Sequence, residues 1–177
     1  YKGFFAEQNL EVEIRHAATG GALKFLAAGE VDVTTSDAGA LLQQLSHQEL
    51  PVIAITLFGQ NGQQAFVTLA DSGIDTLHDW PGKRLGYKGS SPPPEYFAML
   101  KDAGIDHATV ELIRVGYNPR VLTDGDVDIL AVFKSNEPDT IRNILGREVV
   151  VWDPRDYGVP IIGLTYVTRK SLIDGSS

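Results

Sequence analysis

Leu26-Ala27-Ala28-Gly29-Glu30-Val31-Asp32-Val33 returns later in the chain as Leu122-Thr123-Asp124-Gly125-Asp126-Val127-Asp128-Ile129. Each copy reads as the end of a helix, a glycine stop and the start of a strand. In each, the strand runs into a polar corner that opens a new helix, Thr35-Ser36-Asp37 in the first and Lys134-Ser135-Asn136-Glu137 in the second. This repeated unit predicts two similar α/β lobes. The ordinary alternative is that Gly-acidic-Val-Asp is a common helix-to-strand turn.

Outward from the echo, apolar strand-like runs alternate with amphipathic segments, the pattern of an α/β fold with mostly parallel pairing. Strands are expected at 12–15, 31–34, 52–58, 65–69, 84–87, 110–114, 129–133, 149–151 and 161–167. Helices are expected at 22–28, 38–47, 94–103 and 138–145, two of them with proline in the first turn, where its missing N–H costs nothing. Two long apolar runs, 51–58 and 160–167, read as strands that cross between lobes. The second lobe is then a contiguous insertion over 62–159, and residues 1–57 with 160–177 make the first.

The 177 residues carry 15 basic and 23 acidic side chains, a formal net charge of −8, and no cysteine. The negative balance and the scattered Lys and Arg argue against nucleic-acid partners. Without cysteine there is no disulfide, thiolate metal site or cysteine nucleophile. No apolar run reaches the ~20 residues of a membrane-spanning helix, and no export signal is legible. The four histidines stand apart from one another and from any Glu-x-x-His spacing, and no serine sits in Gly-x-Ser-x-Gly, so neither a metal centre nor a hydrolase triad has support.

Ligand chemistry in open α/β sheets gathers where strand ends meet helix N-termini. The candidate corners are Thr19-Gly20-Gly21 and Ser36-Asp37 in the first lobe, and Lys88-Gly89-Ser90-Ser91, Tyr117-Asn118 and Asn136-Glu137 in the second. Each alone is more ordinarily a turn or a helix cap. The prolines after Ser91 remove N–H donors, so Lys88–Ser91 is a rigid hydroxyl-bearing loop rather than a phosphate cradle. A carboxylate at Glu137 can accept two hydrogen bonds from a heterocycle edge, its structural alternative being charge complementarity at a helix start. Tyr117 and Tyr157 are placed to stack on a flat ring. Phe133, Tyr87, Trp80 and Trp152 read at least as readily as core. A catalytic reading would need a paired acid and base, for which Glu137 with Asp37 is the available cross-cleft pair.

The opening Tyr1–Val12, Gly20-Gly21, the echo, Phe133–Pro138 and Asp156-Tyr157-Gly158-Val159-Pro160 together resemble solute-binding proteins of the nitrate, sulfonate, taurine and thiamine-pyrimidine-precursor group. The Asn-Glu-Pro corner and the Asp-Tyr-Gly-Val segment point to the branch taking pyrimidine precursors or flat vitamins such as riboflavin. The resemblance implies a type II periplasmic-binding fold, two α/β lobes joined by hinge strands. It further implies a small-molecule ligand in the cleft, delivery to an ABC permease in the membrane, a monomer, no cofactor, and a periplasmic or cell-surface-anchored location as in lipoproteins. It also implies a strand and an aromatic, Asn-rich loop before Tyr1 and further helices after the Ser171 region. The implied ligand-binding set is Gly20, Ser36, Asp37, Lys88, Ser90, Ser91, Tyr117, Asn136, Glu137 and Tyr157. Alternatives are a sulfonate, taurine or nitrate binder of the same group, and the sensing domain of a receptor or regulator. The related enzyme that makes the pyrimidine from its own histidine carries a Cys-rich iron site, which a chain without cysteine cannot form.

Overall fold

The computed structural model describes residues 3–16, 21–59, 61–89 and 91–175. Their strands distribute over two sheets. Strands β1 (Val33–Asp37), β2 (Val52–Leu57) and β8 (Leu164–Arg169) form one, in the order β1-β8-β2. Strands β3 (Gln64–Leu69), β4 (Arg84–Tyr87), β5 (Glu111–Arg114), β6 (Ile129–Phe133) and β7 (Val149–Trp152) form the other, in the order β5-β4-β6-β3-β7. The helices are α1 (Ala22–Ala28), α2 (Ala38–His47), α3 (Pro94–Asp102), α4 (Arg120–Thr123), α5 (Glu137–Leu145) and α6 (Lys170–Ile173).

The central strands of the five-stranded sheet are buried on both faces. Successive residues of β6 point to opposite sides: Ile129 and Ala131 join Phe66, Trp80, Leu85, Tyr96, Met99 and Trp152, while Leu130 and Val132 join Ala65, Val67, Leu122 and Ile141. A strand covered on both faces must be apolar at every position, which is why 129–132 reads as an unbroken apolar run. Trp80 and Trp152, 0% and 2% exposed, meet edge to face at 5.6 Å in the first layer, as core residues. The smaller sheet has one modest core of Leu23, Leu26, Leu41, Val52 and Val167.

Both copies of the echo close their helix on a left-handed glycine, Gly29 at φ 81° and Gly125 at φ 82°, a conformation that glycine adopts without Cβ strain. Each then enters a strand that feeds a helix, β1 into α2 and β6 into α5.

The pairing departs from the mostly parallel expectation. Parallel ladders join β4 to β5 and β4 to β6, but β3 runs antiparallel to β6 and β7, and β8 antiparallel to β1 and β2. The reason lies in the connections. Strands β3 and β8 arrive from the other sheet instead of returning through a crossover helix, so nothing forces them parallel. Residues 12–15 are not a strand: no ladder includes them among the described residues, and Arg15 turns its guanidinium onto Glu13, 3.0 Å away. The last strand begins at Leu164, not Ile161, because 160–163 lies in the crossing.

The two connections between the sheets touch there. A Cβ on Gly163 would stand 2.0 Å from the carbonyl oxygen of Gly59, and one on Gly59 2.6 Å from the backbone nitrogen of Leu164. Only glycine lets two backbones approach this closely.

Candidate functional site

Because β5, β4 and β6 are parallel, their carboxyl ends emerge on one edge of the sheet: Arg114, Tyr87 and Phe133. Strand β3 runs the other way and begins at that edge, with Gln64 opposite Phe133. Residues just beyond the strand ends therefore converge, and they line a pocket of about 120 Å³ formed by Gln64, Lys88, Gly89, Pro93, Tyr117, Ala131, Val132 and Phe133. Tyr117 and Phe133 are 59% and 48% exposed, large aromatic rings left uncovered at the pocket wall.

Glu137 and Lys88 form a buried ion pair, their side chains only 8% and 10% exposed. The second carboxylate oxygen of Glu137 accepts the backbone N–H of Phe133 at 2.9 Å, which ties the first turn of α5 back onto the end of β6. The Lys88 ammonium also lies 5.9 Å from the centre of the Tyr117 ring, within cation–π range. Sheet edge, loop 88–89 and helix α5 are thus locked together by one carboxylate.

A second clamp braces the same corner. Lys134 donates to Asp153 at 2.7 Å, Arg155 donates to Asp153 at 2.8 Å, and Arg155 reaches Asn61 at 3.1 Å. Burial pushes the Asp153 carboxyl up, but hydrogen bonds from Arg155 and Lys134 outweigh it and hold the group well below the usual carboxylate range.

Of the residues the sequence singled out, Lys88, Tyr117 and Glu137 come together here. Gly20 and Ser90 lie outside the described residues. Asn136 starts α5 with an exposed side chain, and Ser91 is exposed beside the loop. Tyr157 stacks on Trp152 at 6.0 Å and is half-buried against the core, away from the residues that line the pocket. Ser36 donates to the carbonyl of Asp37, and Asp37 caps α2 by accepting the Ala40 N–H at 3.1 Å. Glu137 does not meet Asp37: its carboxylate is held by Lys88 and the Phe133 N–H. The acid beside Asp37 is instead Glu95, buried in the first turn of α3. Sequence reasoning missed Glu95, since a glutamate in a helix's first turn is unremarkable; the Pro92-Pro93-Pro94 run fixing that turn was the available signal. It also missed Gln64 and Asp153, whose roles depend on antiparallel pairing.

The family model described as NMT1/THI5 like matches residues 1–177. The chain belongs to the NMT1/THI5-like family. A Haemophilus influenzae protein provisionally named for thiamine biosynthesis is 34% identical over 164 residues, covering 90% of this chain and 51% of that protein. Among solved structures, the periplasmic aliphatic sulphonate binding protein SsuA from Escherichia coli aligns with TM-score 0.66 and 16% identity over 86% of this chain and 49% of its own. An arginine-specific periplasmic binding protein of Salmonella typhimurium aligns with TM-score 0.67 and 14% identity over 96% of this chain and 72% of its own. The fold is that of periplasmic binding proteins, and this NMT1/THI5-like chain spans about half the length of the H. influenzae relative it matches. Among the described residues no helix is long and apolar enough to cross a membrane.

Proposed function

We propose that the chain is the ligand-capturing part of an extracytoplasmic solute-binding protein of an ABC importer, not an enzyme, and that it takes a small planar heterocycle at the strand-end pocket. The two sheets, with 1–57 and 160–177 on one side and 62–159 on the other, act as lobes that close about the Gly59–Gly163 crossing and hand the ligand to a membrane permease. The carrying observation is the pairing of the site's cations. Lys88 is held by Glu137, and Lys134 is held by Asp153, which it shares with Arg155. A bare sulfonate or nitrate would have to compete with buried carboxylates for these ammonium groups, whereas a neutral ring can lie against Tyr117 and Phe133 without disturbing either pair. A pyrimidine thiamine precursor or a riboflavin-like vitamin has that chemistry, and the naming of the H. influenzae relative is in keeping with the former.

The test is thermal unfolding with a panel of aminopyrimidines, thiamine, riboflavin, taurine, alkanesulfonates and nitrate, since a ligand bound by the native state alone raises the midpoint. A shift with one heterocycle, lost in Tyr117→Ala, supports the reading. A shift confined to sulfonates rejects the heterocycle.

A further inference from the structure

Helices α2 and α3 belong to segments that feed different sheets, yet their N-termini meet. A Cβ on Gly39, in the first turn of α2, would stand 3.2 Å from Oδ1 of Asp37, 3.7 Å from Oε1 of Glu95 and 3.9 Å from Pro94. Two carboxyl groups therefore flank one point, one from each helix. Glu95 is 7% exposed; its donor is its own backbone N–H, and no side chain among the described residues donates to it. Asp37 keeps backbone donors of its own, the Ala40 and Gly39 N–H groups.

The charged and titratable groups on neighbouring elements are engaged elsewhere. Lys88 is on Glu137, and Arg155 is on Asp153 and Asn61. At the 154–157 turn, Asp156 bears on Arg155 and Tyr157. His107 of the 107–109 turn meets the Phe97 ring edge-on at 5.1 Å, while Asp106 caps that turn through Ala108 and bears on Tyr96. His47 stands at the far end of α2. The junction thus brings two acids together without a cation among the described residues.

We infer that Asp37 and Glu95 form a proton-dependent latch between α2 and α3: protonation of one carboxyl allows the two helix starts to stay in contact, and its loss drives them apart by like-charge repulsion. Burial raises both carboxyls above their ordinary values, and the neighbouring Asp37 charge adds to the rise at Glu95. A group whose folded-state value is raised favours the folded contact at low pH, and that contribution is lost as pH climbs through the raised value. The contact therefore loosens as pH rises above the ordinary carboxylate range. For a binding protein, this couples the opening of the two sheets to external pH.

The absence of native cysteine makes the test direct. Spin labels at Gln44→Cys and Lys101→Cys, both exposed positions on the two helices, report their separation by pulsed electron resonance across about pH 4 to 8. The labelled protein should give one short distance at the acid end and gain a longer component toward neutrality. Glu95→Gln, and separately Asp37→Asn, which keeps a cap acceptor for Ala40, should stay at the short distance throughout. A separation independent of pH in the labelled wild type, or the same pH dependence in both variants, overturns the latch.

Discussion

Removing one partner of the Lys88–Glu137 pair should cost far more than removing both. Each side chain is at least nine-tenths buried, and Glu137 also holds the Phe133 N–H. Glu137→Ala strands the Lys88 ammonium and leaves that N–H without its acceptor. Breaking a buried ion pair from one side costs about 3–5 kcal/mol, so a loss of about 3–4 kcal/mol is expected. Lys88→Met leaves the carboxylate with the Phe133 N–H and should cost about 3 kcal/mol. The double variant Lys88→Met/Glu137→Gln removes both charges, keeps an amide oxygen for Phe133 and should cost only about 1–2 kcal/mol. Urea unfolding of wild type, both singles (Lys88→Met and Glu137→Gln, the latter also expected to cost about 3 kcal/mol by stranding Lys88) and the double gives the coupling, expected at about 4–5 kcal/mol. With slopes of about 1–3 kcal/mol/M, the single variants should move the midpoint by 1 M or more. Additivity within about 0.5 kcal/mol would mean that the two groups do not share an environment, and the description of the pocket wall would fail.

Three further outcomes follow from the same geometry. Gly163→Ala would force a methyl to 2.0 Å from the Gly59 carbonyl oxygen, so backbone displacement costing at least about 1–3 kcal/mol should appear as a lowered melting temperature, with Gly116→Ala, which meets nothing within 4 Å, as the benign control. Asp153 is held low, so its stabilising contribution is present above the unfolded carboxylate value and fades as pH falls below it; Asp153→Asn should flatten the acid limb of stability measured by urea midpoint against pH. Tyr117→Ala, at an exposed ring, should leave the unfolding free energy from urea titration within about 0.5 kcal/mol of wild type while abolishing the ligand-induced melting shift.

Much of the local structure was legible before any coordinates. The ends of β4 and β6 and the whole of α1 and α2 follow from apolar run length, glycine stops and caps, because these signals act between neighbours in the chain. Asp37 was readable as a helix cap for the same reason. What the pattern did not carry was partnership across long separations. Lys88 meets Glu137 across 49 residues, and nothing in either segment encodes that choice; it follows from β4 and β6 being adjacent and parallel. The antiparallel entry of β3 was hidden too, because an apolar run shows burial without direction, and with it went Gln64 and the Asp153 clamp. Tyr157 shows the converse: the sequence places an aromatic near a strand end, but not the Trp152 ring that stacks against it. Residues 12–15 have the alternation of a strand but pair with no other strand among the described residues, and alternation is only half of what a strand requires.

Paired calorimetric titrations of the purified chain with a neutral aminopyrimidine thiamine precursor and with taurine address the central claim most directly. The account predicts saturable heat with the aminopyrimidine, reduced at least tenfold in affinity by Tyr117→Ala, and none with taurine. Saturable binding of taurine, with the aminopyrimidine silent, would contradict it and would mean that Lys88 or Lys134 leaves its carboxylate to hold an anion.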